Sequence, residues 1–410
     1  MMQSIAWDPA RPAEWINDHI AMVRATSNAY VITGDEGDVV INSGTGVQGE
    51  GVRQKFEALL GRPLKVAKFI FTQSHPDHTG GWQQFYQNGT EIIVQREFQR
   101  INDERKLMGP FFGPRNARVL AALIPKEDKG TAWFNTPDPT PLTTFADSYE
   151  FTFSGRRYQL LTMSSGETLD SLAVWMPDEK TVFFGNWAGA IYGALPNFYT
   201  ARGDRDRSVT QWLVDCDKIL ALEPELLITG HDDAIHGNAR IKADLGKLRD
   251  VVAYIHDFTV EGMNAQKTLP QIQQELSLPP HLTMNPGRGP AHWYARAVWE
   301  EYAGWFRHER TSELYPTPPS SVWTEVVAMA GGGAALAQRA HAHLQAGAPE
   351  KALHLIEMAV EAEPDDRTVR EAELAVYEDL ADRTEGKIFD LLGWLEGKII
   401  STKAALEALN

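Results

Sequence analysis

Thr72-Gln73-Ser74-His75-Pro76-Asp77-His78-Thr79-Gly80-Gly81 is the stretch whose reading decides the fold. The run before it, Val66 to Phe71, is short, apolar and rich enough in β-formers to be a buried strand. Just past that strand, His75, Asp77 and His78 crowd three possible metal ligands into four residues. Pro76 stiffens the backbone among them, and Gly80-Gly81 lets the chain turn afterwards. Two imidazoles and a carboxylate on a loop at a strand's end suit a zinc-type ion. An ordinary polar loop can carry the same residues without one.

Around this loop the pattern is β-rich, then mixed, then helical. Ala29–Thr33 and Asp38–Asn42 read as strands joined by the turn Gly34-Asp35-Glu36-Gly37. A helix is expected over 50–60, another over 81–87, and a strand over 90–95. Helical runs at 96–106 and 116–123 bracket Met108-Gly109-Pro110-Phe111-Phe112-Gly113-Pro114, a segment suited to lining an apolar channel or to packing between helices. Strands are expected at 149–153, 157–163, 172–176 and 181–184, then a helix at 208–221 and a strand at 225–229. Beyond Lys242, apolar residues recur at three- and four-residue spacing. Residues 309–322 read as a Pro/Ser/Thr connector. Ala- and Leu-rich helices over 336–344, 349–362 and 366–383 then resemble one tetratricopeptide-like hairpin with extra helices.

At 410 residues the chain is too long for one ordinary core, and two domains are expected, 1–244 and 245–410. The net charge of −16 argues against nucleic acid and anionic membranes as partners, so an anion site must be built locally from a few arginines. Cys216 stands alone, which excludes an internal disulfide and a thiolate zinc cluster. Met1 to Pro12 lacks the basic start and apolar run of a signal peptide, and no stretch reaches the length of a membrane span. The expected location is cytoplasmic.

Three more strand ends stop at glycine-containing turns with polar side chains: Ser164-Ser165-Gly166-Glu167-Thr168, Gly185-Asn186-Trp187 and Gly230-His231-Asp232-Asp233. Such ends gather distant residues on one sheet edge, where ligand sites form in layered folds. Together with the opening loop, these turns resemble the metallo-β-lactamase superfamily, an α/β fold with an αββα sandwich. Closer still is the alkyl sulfatase branch. The resemblance rests on Glu167 at a position where most of the superfamily has histidine, and on Asn197-Phe198-Tyr199-Thr200-Ala201-Arg202-Gly203 followed by Arg207. Leu248-Arg249-Asp250, Ala291-His292-Trp293 and Tyr302-Ala303-Gly304-Trp305-Phe306 extend it. It covers roughly residues 25 to 385. The sterol-carrier-like domain that ends many members is not expected here.

The resemblance implies two metal sites. The first would use residues 73, 75 and 167; the second would use Asp77, His78 and His231, with residue 186 bridging. Here Gln73 replaces a histidine and Asn186 an acid, both neutral amides with weaker ligand oxygens. Only Asp77 and Glu167 remain as anionic ligands, enough charge for one divalent ion. One firmly held ion, Zn2+ or a similar metal, is therefore expected at Asp77, His78 and His231. The position at His75, Glu167 and Gln73 should be weak or empty, which frees Glu167 or His75 to act as a general base. By resemblance, Arg202, Arg207 and His292 would hold an anionic group, with Asn197 orienting a ligand. Arg207 could equally serve an internal ion pair, His292 a core, and Asn197 a turn cap.

The leading expectation is a metal-dependent hydrolase resembling alkyl sulfatases, in which water activated at the metal attacks a small anionic ester with an apolar part. Two alternatives keep the fold: a hydrolase of a lactone, carboxylic ester or other small molecule, and a binding protein without turnover. The helices after Lys242 are expected to form a homodimer.

Overall fold

The computed structural model describes residues 7–119, 138–201, 203 and 207–409. Among them, seven strands form a first sheet: β1 (Glu14–Trp15), β2 (Ile20–Val23), β3 (Ala29–Ile32), β4 (Asp38–Ile41), β5 (Val66–Ile70), β6 (Glu91–Gln95) and β7 (Leu142–Phe145). β1 to β4 pair antiparallel and β4 to β7 parallel. Six strands form the second: β8 (Ser148–Phe153), β9 (Arg156–Thr162), β10 (Leu172–Met176), β11 (Thr181–Gly185), β12 (Leu226–Thr229) and β13 (Ile235–His236).

The alternation of side chains along a strand explains the layering. In β3, Tyr30 and Ile32 point to the core between the sheets, with Ile41, Ile70, Leu160, Val174 and Phe183. Ala29 and Val31 face the other way, onto α1 (Gly49–Leu60) through Val52 and Phe56. Both faces are buried, so these strands read as continuous apolar runs. On the far side of the second sheet, Ala173, Trp175, Val182 and Leu227 pack against helices. After α2 (Pro76–Thr79) and α3 (Phe98–Val119), those covering helices are α4 (Val209–Ala221), α5 (Asn238–Asn264), α6 (Leu269–Glu275) and α7 (Ala291–Ala303). The result is the expected αββα sandwich.

α5 runs across the expected domain division at 244/245. The core on the outer face of the second sheet continues to Trp299, and a separate core begins at Val327. That second core is built by α8 (Trp323–Met329), α9 (Gly333–Gln345), α10 (Pro349–Ala362) and α11 (Arg367–Arg383), the helical half the sequence led us to expect. A final helix, α12 (Phe389–Ala408), packs on α11 and also on α3.

Three local expectations need correction. The helix over 81–87 is instead the single turn α2, followed by a 3-10 turn at Trp82–Gln84. Gly80 and Gly81 have φ of −61° and −83°, so they are not left-handed turn residues. They are glycines because a Cβ on Gly81 would lie 2.5 Å from the Ser43 carbonyl and 2.6 Å from Gly49 Cα. Finally, Met108–Pro114 does not interrupt a helix. α3 runs straight through Pro110 and Pro114, with Met108 and Phe111 exposed. The part of the expected 116–123 helix beyond Val119 lies outside the described residues.

Candidate metal centre

The ends of β5, β9, β11 and β12 deliver the ligand set to one edge. β11 and β12 are parallel, with Gly185 opposite Thr229, so the next residues, Asn186 and the Gly230-His231 pair, emerge side by side. The Gly230 amide donates to the Gly185 carbonyl at 2.9 Å, and a Cβ on Gly230 would collide with the Asn186 amide. On the other side of the site, α2 begins at Pro76 and carries Asp77 and His78 on its one turn.

Asp77, His78 and His231 come together with their ligand atoms within 4.8 Å of one another. Asp77 Oδ2 lies 3.6 Å from His78 Nε2 and 3.8 Å from His231 Nε2. His231 binds the Thr26 carbonyl through Nδ1, which leaves Nε2 as the lone-pair nitrogen aimed at the cluster. His78 Nε2 is buried without a hydrogen-bond partner. Burial pushes the His78 imidazole down to about 4, so it is neutral and able to ligate at neutral pH. Burial opposes charge on Asp77, yet His78, His231, His75 and the Ser27 hydroxyl together hold the carboxyl well below the usual range. A partly buried carboxylate, the orphaned His78 nitrogen and the His231 nitrogen facing them fit a divalent ion.

The other half is built differently. Glu167 and His75 approach to 3.4 Å between Oε2 and Nδ1. Gln73 Nε2 lies 2.8 Å from His75 Nδ1 and 3.5 Å from Glu167 Oε2. Asn186 Nδ2 donates to Glu167 Oε2 at 3.1 Å and to His231 Nε2 at 2.9 Å. The two amides thus point N–H groups at the lone pairs a second ion would need. Gln73 Oε1, Asn186 Oδ1 and Glu167 Oε1 are left buried and unpartnered. Burial disfavours the charged form of Glu167, but the His75 bond and charge, Arg207 and Arg288 hold it well below the carboxylate norm.

The expected anion-binding residues meet different fates. Arg202 lies outside the described residues. Arg207 is buried and donates to the Asn197 carbonyl. With its amide turned to suit its neighbours, Asn197 donates to the Tyr199 carbonyl at 2.9 Å and accepts from Arg207 at 3.2 Å, so Asn197 braces Arg207. His292 sits exposed at the start of α7, where its carbonyl accepts from Gln273 at 2.9 Å. The described contacts do not tie it to the cluster. Its neighbour Trp293 lines a cavity of about 490 Å³ with Arg115, Tyr199, Arg296, Leu391 and Trp394.

Sequence reading missed four neighbours of the site. Ser27 is fully buried, donates to Asp77 and lies 3.3 Å from His231 Nε2, and Thr26 supplies the carbonyl that orients His231. Arg288 and Asp390 are described below. Ser27 sits in a short β2–β3 turn with no motif around it. Only the strand pairing reveals it.

With this geometry in place, comparison with known proteins gives the class. The family model for the metallo-beta-lactamase superfamily matches residues 23–231, and that for alkyl sulfatase dimerisation matches 268–389. The chain belongs to the metallo-β-lactamase superfamily. It resembles the alkyl sulfatases along both halves. A linear primary-alkylsulfatase from a Pseudomonas species is 26% identical over 368 residues, covering 83% of this chain and 68% of that protein. An alkyl/aryl-sulfatase of Saccharomyces cerevisiae is 24% identical, covering 90% of this chain and 61% of that one. The solved structure of a stereoselective inverting sec-alkylsulfatase from Pseudomonas sp. superposes with a TM-score of 0.80 at 20% identity, over 97% of this chain and 66% of that chain. This chain therefore spans about two thirds or less of these relatives' lengths, and the likeness to the solved structure is one of fold. The family and the sandwich-plus-helices architecture expected from the sequence both hold.

Proposed function

We propose that this chain is a metal-dependent hydrolase resembling alkyl sulfatases, acting on a small ester that carries an anionic group and an apolar part. The observation that carries this reading is the Asp77, His78 and His231 cluster, its two histidines buried, with Glu167 held charged nearby under the influence of Arg207 and Arg288. When bound there, a divalent ion such as Zn2+ supplies Lewis acidity and a more acidic water. The chain's own residues do the rest. Ser27 and the Thr26 carbonyl fix the faces of Asp77 and His231. Glu167, held charged against His75, is the group placed to take a proton from attacking water, with His75 as its partner. Arg207, braced by Asn197, holds the anionic group, and Arg202 belongs to the same reading from the sequence alone. The cavity beside Tyr199 and Trp394 suits the apolar part.

The reading includes one firmly held ion. Gln73 and Asn186 already occupy the lone pairs of His75, Glu167 and His231 with N–H groups. For His231 to ligate, the Asn186 amide must turn. The cytoplasmic location is also part of this reading and rests on sequence alone. So is the homodimer. It is supported by the match to the dimerisation family and by the exposed apolar residues Tyr302, Trp305, Tyr315 and Met329, the last 80% exposed.

Metal analysis of protein purified without chelator, coupled to sulfate release from a medium-chain alkyl sulfate, tests the reading. One ion per chain and sulfate release are expected. Metal without sulfate release would move the substrate to a lactone or carboxylic ester. Protein that takes up no metal would be a binding protein and would end the hydrolase reading.

A further inference from the structure

Arg288 stands in the segment before α7, where no motif marks it. Its guanidinium pairs with Asp390 at the start of α12, Nη1 to Oδ1 at 3.1 Å, across 102 residues of sequence. The Phe389 ring lies 5.0 Å from the same guanidinium, and the Phe389 amide donates to the Gly287 carbonyl at 2.8 Å. The first turn of α12 is therefore clamped onto residues 287–288. Asp390 is 1% exposed and the Arg288 side chain 11%.

Two features separate this pair from an ordinary structural ion pair. It is made through one guanidinium nitrogen and one carboxylate oxygen, while Arg288 Nε and Asp390 Oδ2 are buried without a partner. A pair serving stability alone gains by closing both bonds of the fork. Its position is the second feature. Glu167 and Asp77 are the other acids whose charge reaches Arg288, and Arg207 and Arg288 are the arginines whose charge reaches Glu167. Tyr294 also feels the charges of Asp390, Arg288 and Arg207.

We propose that Arg288 is a second anion-binding residue of this site, acting with Arg207, and that Asp390 of α12 is the positioning residue that holds it. Asp390 offsets the Arg288 charge in the resting protein, and the unpartnered Nε–H remains to meet an oxygen of the incoming anion. The site is thereby assembled from both halves of the chain, since Leu391 and Trp394, on the same two turns of α12, line the adjoining cavity. The chemical class of ligand is a tetrahedral or planar oxyanion, a sulfate ester or a carboxylate, whose oxygens span two guanidinium groups.

The inference rests on the anionic-substrate reading, and the test separates the two. Inorganic sulfate is titrated calorimetrically into the metal-loaded full chain, and alkyl sulfate hydrolysis is followed in parallel. Arg288→Gln is expected to weaken sulfate binding about tenfold to a hundredfold with metal content unchanged. Asp390→Asn should raise KM several-fold with a smaller effect on kcat. Should Arg288→Gln fold poorly, as the melting temperature would reveal, Arg288→Lys keeps the charge and is expected to restore the fold while binding sulfate more weakly than arginine. An unaltered chain that binds no sulfate, or an Arg288→Gln or Arg288→Lys chain that binds it like the unaltered protein, overturns the anion role. Unchanged KM in Asp390→Asn overturns the positioning role. Sulfate binding that needs Arg288, in a chain that hydrolyses no alkyl sulfate, keeps the anion site and sinks the sulfatase reading.

Discussion

At the scale of single residues, the site turns on two amides. Gln73 and Asn186 stand where the family likeness implies a histidine and an acid; Gln73 turns its NH2 to His75 and Glu167, and Asn186 turns its own to Glu167 and His231. Restoring both, Gln73→His with Asn186→Asp, is expected to raise the bound metal toward two ions per chain, read by elemental analysis. Asp77→Asn should remove most of the metal, because one neutral oxygen replaces the carboxylate of the intact set. Acid should act on the same groups. Asp77 and Glu167 are held below their unfolded values, so their stabilisation is present above the unfolded carboxyl range and lost as pH falls. His78 has its ordinary value of 6.5 lowered to about 4, so the unfolded chain takes a proton first and stability also falls as pH drops from about 6.5 to 4. All three run in one direction, and the metal-free protein should melt at progressively lower temperature between pH 7 and 4. The ligand loop was legible in the sequence because its donors are packed into a few residues. Ser27 and Arg288 were not, since each is recruited across the fold from a segment without local pattern.

At the scale of elements, strands announced themselves better than what joins them. β3, β4, β10 and β11 are buried on both faces, and their apolar runs leave little choice of period. α3 defeated sequence reading because Pro110 and Pro114 look like breaks; each forfeits its donor and crowds the carbonyl four residues back, yet the helix continues through both. α12 lies beyond the last helix read from the sequence, and its role depends on Asp390 meeting a residue far back in the chain. The placement of Arg207 depends on such a meeting too. α4 starts just after it, and its first turn is capped from α7 by Glu301, which accepts from Ser208 Oγ at 2.7 Å and the Val209 amide at 2.8 Å. Glu301→Ala should cost about 1–2 kcal/mol by removing an anion from a helix N-terminus, as chemical denaturation would measure. It should also raise KM, because the Arg207 segment loses its anchor.

For the whole molecule, the surface after α7 carries the association argument. Tyr302, Trp305, Leu314, Tyr315 and Met329 are exposed within one stretch that the dimerisation family covers. Trp305→Glu is expected to convert the dimer to a monomer in light scattering after size exclusion, with metal content unchanged. A monomeric unaltered protein would remove the dimer from the reading. No described helix is long and apolar enough to cross a membrane. The clamp of α12 on residues 287–288 bears on how the molecule is born. The ligands Asp77, His78 and His231 leave the ribosome long before Phe389 and Asp390, so the sandwich can fold and take up its ion while Arg288 still lacks its carboxylate partner. Maturation is then expected to run metal first and closure last. A nascent chain stalled before α12 should bind the ion yet fail to retain sulfate.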